Sequence, residues 1–279
     1  MQIHPALILT VLSSLGACVS ELDGDEELLG EQSYGETNQE LFGTTTYAGG
    51  SGTNVAVLSE KGATHTCFLR GIRGSLDGTQ GNWGDRITAY AKVQLNSATD
   101  RWEVHTKSGY GGPVYAHHTC VATTAGRTFL WAVQGGNYYP PTAAITTNRR
   151  CFLTGISAYG VGMKYVAWDG TLPGAKVWKY GGSWRVSTWF ADNSDGHIDG
   201  QAAAVCIDIS GYGELGDHYI GNADVEIYDG DAAPWSCGAM GVFGVFTGST
   251  DIGAYSYKSN NRWRAKAPAN KGVLTKCFY

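Results

Sequence analysis

The sequence has few charged side chains, and after residue 43 it has no long stretch with the apolar period of a helix. Asp, Glu, Lys and Arg make up only 16% of the 279 residues, whereas 40 residues are Gly and 12% are aromatic. Glycine suits tight turns, and aromatic and β-branched side chains suit pleated strands. The composition therefore predicts an all-β chain, and the hydrophobic fraction of 43% is enough for a sizeable core.

Basic residues are absent from residues 19–42, so the net charge of the whole chain, −5, is misleading. Eight of the 25 acidic residues lie between Glu21 and Glu40. The rest of the chain carries the other 17 acidic residues and all 20 basic residues, so its net charge is near +3. That charge is too small to indicate nucleic-acid binding, and we predict no nucleic-acid partner. Residues 18–42 have no pattern able to bury a core, and they predict a disordered, self-repelling tether.

An apolar segment from Ala6 to Leu15 lies where the hydrophobic region of a signal peptide belongs, and it is too short to span a bilayer. It runs into Leu15-Gly16-Ala17-Cys18, which resembles the bacterial lipobox, the site of lipidation and cleavage in lipoproteins. The resemblance implies a signal peptide over residues 1–17 and a lipidated Cys18 that anchors the protein to a membrane. Val19 after the cysteine implies, by similarity to enteric sorting rules, the outer membrane or cell surface. A plain secretory signal is the alternative.

Six further cysteines occur in three similar contexts. Cys67-Phe-Leu-Arg-Gly-Ile72 matches Cys151-Phe-Leu-Thr-Gly-Ile156, and Cys237-Gly-Ala-Met-Gly-Val242 keeps the cysteine and the glycine four places on. The first cysteines of these segments lie 84 and 86 residues apart. A period of this length predicts three diverged repeats, which we place at residues 43–122, 123–208 and 209–279.

The repeat pattern also predicts which cysteines form disulfide bonds with each other. An even number of cysteines in an exported chain indicates disulfide bonds, and six cysteines allow about 15 pairings. Each repeat closes on a second cysteine in an apolar strand, so pairing within repeats is the economical scheme. It predicts Cys67–Cys120, Cys151–Cys206 and Cys237–Cys277.

Short strands separated by Gly-rich turns are expected throughout the repeats. In the second repeat we predict strands over Cys151–Ala158, Ala175–Tyr180, Trp184–Trp189 and Gln201–Ile209. A further strand precedes each first cysteine, at Asn54–Leu58, Thr142–Thr147 and Val225–Tyr228. The pattern predicts a pseudo-threefold domain of the prism, propeller or barrel type, or else three tandem small β-domains.

Two groups of aromatic residues are candidates for ligand contact. Trp102, Trp184 and Trp263 recur at equivalent positions and are either sugar-stacking platforms or, as we expect, core residues. Other aromatic residues lie in Gly- or Pro-rich loops, where binding residues concentrate. The predicted ligand-binding residues are Trp83, Asp85, Tyr138, Tyr139, Trp168 and Trp235.

Residues 192–200 resemble a calcium loop, because oxygen-bearing side chains alternate there and glycines allow a tight turn. Asp192, Asp195 and Asp199 are the candidate Ca²⁺ ligands, and the alternative is a solvated turn. No catalytic residue is predicted. His117 and His118 are adjacent in an expected strand and should point to opposite faces, and no nucleophile or zinc-protease motif occurs.

The best hypothesis from the sequence is a surface-anchored, lectin-like or adhesin-like protein that binds polysaccharide without catalysis. Three repeats, a tether and loop aromatics favour it, since repetition multiplies weak sites into avidity. A secreted hydrolase, with His197 beside Asp195 and Asp199, is the first alternative. A structural envelope or coat protein is the second.

Overall fold

A computed structural model describes residues 45–50, 52–76, 88–108, 112–133, 142–159, 173–189, 200–209, 218–228, 236–246 and 253–278. These ranges form sixteen β-strands and no helix, which confirms the all-β prediction. They accordingly contain no helix that could cross a membrane.

The strands are distributed over the three segments that the cysteine pattern defines. Residues 43–122 contain β1 (Thr45–Gly50), β2 (Thr53–Lys61), β3 (Thr66–Gly74), β4 (Thr88–Asn96), β5 (Arg101–Lys107) and β6 (Val114–Val121). Residues 123–208 contain β7 (Thr128–Val133), β8 (Ala143–Ala144), β9 (Arg149–Tyr159), β10 (Gly174–Tyr180), β11 (Ser183–Trp189) and β12 (Gly200–Asp208). Residues 209–279 contain β13 (His218–Tyr228), β14 (Ser236–Gly244), β15 (Gly253–Ser259) and β16 (Arg262–Phe278).

The three predicted disulfides are confirmed, and each joins two antiparallel strands of its own segment. Cys67–Cys120 links β3 to β6, Cys151–Cys206 links β9 to β12, and Cys237–Cys277 links β14 to β16. In every pair the two cysteines stand directly opposite each other in the strand register.

Hydrogen bonding between strands also connects the segments to one another. β4 pairs with β9, β10 pairs with β14, and β15 pairs with β3, so each segment lends one strand to another. The strands lie in two sheets. One has six strands in the order β2-β5-β4-β9-β12-β7, and the other has ten, in the order β1-β6-β3-β15-β16-β14-β10-β11-β8 with β13 paired to β16.

A bulge follows the first cysteine of each segment. The register of β3, β9 and β14 skips one residue, three places after the cysteine, and these bulge residues are Arg70, Thr154 and Met240. The next residue is always glycine, and it faces the strand donated by another segment. At Gly71, with φ +146°, a Cβ would lie 2.1 Å from the carbonyl oxygen of Ala254, so the glycine permits β15 to approach.

The hydrophobic core is continuous across the described strands of all three segments, unlike a row of separate small domains. Phe68 and Phe152 are fully buried and stack at 4.4 Å between ring centroids. Phe278 completes the group, with its centroid 6.2 Å from Phe68 and 5.4 Å from Phe152. Gly238 lies where the third segment would carry the matching phenylalanine, and a Cβ there would be 2.3 Å from Cδ1 of Phe152.

Most strand predictions agree with the structure, but three details differ. The strand predicted at Thr142–Thr147 is only the two residues of β8, and the residues on either side of it do not pair with β11. β1 and β7, which precede the predicted strands, were not expected. The predicted strand at Val225–Tyr228 is the end of the longer β13.

Candidate functional site

The β10–β11 hairpin exposes aromatic side chains on one of its faces. Along β10, Ala175 and Val177 are buried, while Trp178 and Tyr180 point to the opposite face because side chains alternate along a strand. The Gly-rich turn expected between the predicted strands Ala175–Tyr180 and Trp184–Trp189 is present at Gly181 and Gly182, whose φ angles of +56° and +77° fit a type I′ turn. This tight turn keeps the two strands in register over their full length.

Five rings lie on this face, and we call them the aromatic face: Trp178, Tyr180, Trp189, Tyr219 and Phe243. Trp178 and Tyr180 are 5.2 Å apart between centroids, Trp189 and Phe243 are 5.4 Å apart, and Tyr219 and Phe243 are 5.9 Å apart. Tyr180 and Tyr219 are 57% and 59% exposed, and the other three are partly exposed. The face therefore combines side chains of β10, β11, β13 and β14.

Glycines beneath the rings explain how they lie against the sheet. Gly174 is paired with Trp189 on one side and with Phe243 on the other, so no side chain separates these two rings. A Cβ at Gly272 would be 2.7 Å from the hydroxyl oxygen of Tyr219, and one at Gly241 would be 2.6 Å from Cζ of Phe243. Both rings thus rest on bare backbone.

Cationic side chains stand among the rings. The Nζ of Lys176 lies 5.4 Å from the ring centroids of both Trp178 and Trp189. The guanidinium of Arg185 lies 4.9 Å from the Tyr180 ring. Cation–π attraction of this kind fixes the rings and places hydrogen-bond donors beside them.

A second, smaller aromatic patch lies on β7 in the other sheet. Phe129 and Trp131 occupy alternate positions of this strand and are 46% and 44% exposed, while Leu130 between them is buried. Trp131 faces Ala203, which faces Gly155, which in turn faces Lys92. The sheet surface between Trp131 and Lys92 therefore carries only small residues.

Two clusters of polar side chains in the described ranges are hydrogen-bonded among themselves. Glu103 accepts a hydrogen bond from Asn96 at 2.8 Å and contacts His105 at 2.7 Å. The hydrogen bond from Asn96 has the larger effect, and both contacts lower the pKa of Glu103. Asp224 accepts hydrogen bonds from Tyr257 at 2.9 Å and from Arg264 at 3.1 Å, and burial, then the bond to Asp224, raises the pKa of Tyr257. Contacts of this kind hold neighbouring strands together.

The structure decides between the two roles considered for the recurrent tryptophans. Trp102, Trp184 and Trp263 are buried, so they are core residues and not sugar-stacking platforms. Trp102 donates a hydrogen bond from Nε1 to the carbonyl oxygen of His65 at 2.9 Å. His117 and His118 are also buried, and the His117 ring stacks on Tyr255 at 4.0 Å.

The other predicted site residues lie outside the described residues. These are the predicted lipidation site Cys18, the loop residues Trp83, Asp85, Tyr138, Tyr139, Trp168 and Trp235, the candidate calcium ligands Asp192, Asp195 and Asp199, and His197. Within the described ranges, no group of three or more His, Cys, Asp or Glu side chains could hold a metal ion.

No protein-family model matches the chain, and a comparison with curated proteins finds no significant match.

The predicted ligand-binding aromatics were all expected in loops, and the exposed aromatics of the strands were not among them. The signal was present in β10, where Lys176, Trp178 and Tyr180 alternate with Ala175 and Val177. A strand whose polar face carries Trp and Tyr presents its rings to solvent, because the other face already supplies the core.

Proposed function

We propose that the protein is a surface-anchored, non-catalytic polysaccharide-binding protein, and that the aromatic face is its glycan-contact surface. The observation that carries the proposal is the group of five neighbouring rings on one sheet face, with Tyr180 and Tyr219 more than half exposed. Contiguous exposed aromatic surface marks an interaction site. The C–H face of a pyranose packs well against such rings, and phenol, ammonium and guanidinium groups beside them can hydrogen-bond sugar hydroxyls.

The shape of the face favours a polymer over a single sugar. The rings extend along the hairpin from Tyr180 at its turn to Trp189 at its far end. Six residue steps of β10 span about 20 Å at about 3.4 Å per residue. A surface of this length contacts several consecutive sugar units, and each contact adds to the avidity of the next.

We also propose that the three segments are related by pseudo-threefold symmetry. The recurrent disulfide pairs, the bulge three places after each first cysteine and the strand exchange between segments support it. The mutual contact of β3, β9 and β14 agrees with a common axis between these strands. In this arrangement the aromatic face and the β7 patch are related surfaces that differ in their side chains.

The proposed location is the outer membrane or cell surface, through a lipid on Cys18 and the acidic tether of residues 18–42. Three disulfides are compatible with an exported protein, since disulfides persist in oxidising compartments. Radiolabelled palmitate incorporated into the wild-type chain and absent from Cys18→Ser is the expected result. Equal labelling of both chains, or none in either, would reject the lipid anchor.

A glycan and polysaccharide array probed with the disulfide-bonded protein tests the binding function. We expect saturable binding, weakened about tenfold by Trp178→Ala, because one aromatic contact contributes up to about 1.5 kcal/mol. Val57→Ala is the control, since it removes an exposed apolar side chain of β2 outside both aromatic patches and should leave binding unchanged.

The other outcomes separate the alternatives. Binding that Trp178→Ala does not change would move the site away from the aromatic face. An array without binding, together with release of reducing sugar from the same polysaccharides, would favour a hydrolase. Neither binding nor turnover would favour a structural envelope protein. Repeating the array with Ca²⁺ and with EDTA tests the calcium site proposed at Asp192, Asp195 and Asp199.

A further inference from the structure

Arg70 places a guanidinium group inside the core. The residue is 4% exposed, its Nε donates a hydrogen bond to the carbonyl oxygen of His118 at 2.9 Å, and its Cζ lies 5.5 Å from the Trp263 ring centroid. Its Nη1 is buried and has no hydrogen-bond partner among the described residues. The two N–H donors of Nη1 are therefore unused.

No carboxylate of the described residues balances this charge. Burial lowers the pKa of Arg70 to about 9, and the side chain that opposes the shift is the phenol of Tyr255. The other ionisable groups that act on the same region, His117, His118 and Arg73, are cationic or neutral. A buried charge without a partner is costly, so an arginine persists in such a place only when something compensates it.

The fold itself does not require a charge at this position. Arg70 is the bulge residue of the first segment, and the bulge residues of the other two segments are Thr154 and Met240. Both are buried and uncharged. A neutral side chain therefore fills the same place twice in this chain.

A second unused donor lies on the neighbouring strand. Ser256 is fully buried, and its Oγ has no hydrogen-bond partner among the described residues. It follows Tyr255, which is paired with Gly71, the residue after Arg70. At the corresponding places of β4 and β10, two residues after the alanine that faces another segment, the chain has Val93 and Val177.

We propose that Arg70 and Ser256 hold a small monovalent anion, of the chloride or bromide class, inside the domain. A buried N–H and a buried O–H that both lack acceptors are satisfied together by an anion, which also neutralises the guanidinium. A buried water molecule would accept the hydrogen bonds but leave the charge uncompensated. The site is separate from the aromatic face and does not depend on the proposed function.

Thermal unfolding of the full disulfide-bonded chain in sodium chloride tests the site, with sodium gluconate holding the ionic strength constant. Binding to the folded state alone should raise the Tm by about 5 to 10 °C at a chloride concentration about 100 times the Kd. Arg70→Met, which copies the residue of the third segment, should abolish the rise. Ser256→Val should shift it to higher chloride concentrations.

Arg262→Met is the matched control, because it removes a surface arginine that pairs with Glu226 and should keep the chloride response. A Tm that is equal in chloride and gluconate for the wild-type chain would overturn the proposal, as would an unchanged response in Arg70→Met. Crystals grown in bromide give a check that needs no variant. We expect an anomalous peak beside Arg70, and a map without one there would also reject the site.

Discussion

Gly238→Ala should destabilise the domain strongly, because rings from two other segments occupy the space beside Gly238. The added Cβ would lie 2.3 Å from Cδ1 of Phe152 and 2.6 Å from Cε2 of Phe68. Both rings are fully buried and stacked, so neither can turn into solvent. Overpacking of this kind costs about 3 kcal/mol, a large part of a net stability of about 5 to 15 kcal/mol.

The same contact predicts that a second substitution relieves the first. Phe152→Ala alone should cost about 4 kcal/mol through the cavity it leaves. In the double variant the new methyl group of residue 238 enters that cavity. The combined loss should then be smaller than the sum of the two single losses by at least about 1 kcal/mol.

Urea unfolding of the oxidised protein, followed by tryptophan fluorescence, measures all four members of this cycle. Gly221→Ala is the control, because its Cβ would meet the Tyr219 hydroxyl at 3.2 Å, the end of an exposed side chain that can move. It should cost less than about 1 kcal/mol. Strict additivity of Gly238→Ala and Phe152→Ala would refute the placement of Gly238 against the two rings.

Two further predictions concern the disulfides and a buried lysine. Replacing both Cys151 and Cys206 by Ala removes a bridge between residues 55 positions apart. The chain-entropy model then predicts a loss of about 4 kcal/mol, and an unchanged urea midpoint would contradict it. Burial lowers the pKa of Lys271 to about 8, so the folded state disfavours its protonated form and wild-type stability should rise between pH 8 and about 10.4. Lys271→Met should therefore be more stable at pH 7, with the difference shrinking across that interval. A difference that stays constant in urea midpoints measured over this range would argue against it.

Local signals in the sequence were sufficient for the disulfides and for most strands. The match between Cys67–Ile72 and Cys151–Ile156 identified the paired cysteines, and the Gly181–Gly182 turn fixed the β10–β11 hairpin. β7 was missed because its sequence, Thr-Phe-Leu-Trp-Ala-Val, is apolar at every position after the first. Its exposed and buried residues alternate in the structure, but hydropathy alone does not distinguish them.

The aromatic face and the exchange of strands between segments could not be predicted in this way. Phe243 and Tyr219 join Trp189 only through the pairing of β14 with β10 and of β13 with β16, and distant register is not encoded in local periodicity. Trp178 and Trp189 also looked like ordinary strand aromatics, whose usual place is the core. From the sequence, glycines such as Gly174 were expected to form turns. Only the structure shows that aromatic rings pack against them.

The pairing of β15 with β3 has a consequence for how the chain folds while it is being made. β3 is made early, yet the partner of its second edge is residues 253–255, which belong to the third segment and are synthesised much later. Until then β3 has an unpaired edge, which is a template for aggregation. Contacts of such long sequence separation also fold slowly. The chain is therefore most prone to aggregation in the interval before its third segment has been made.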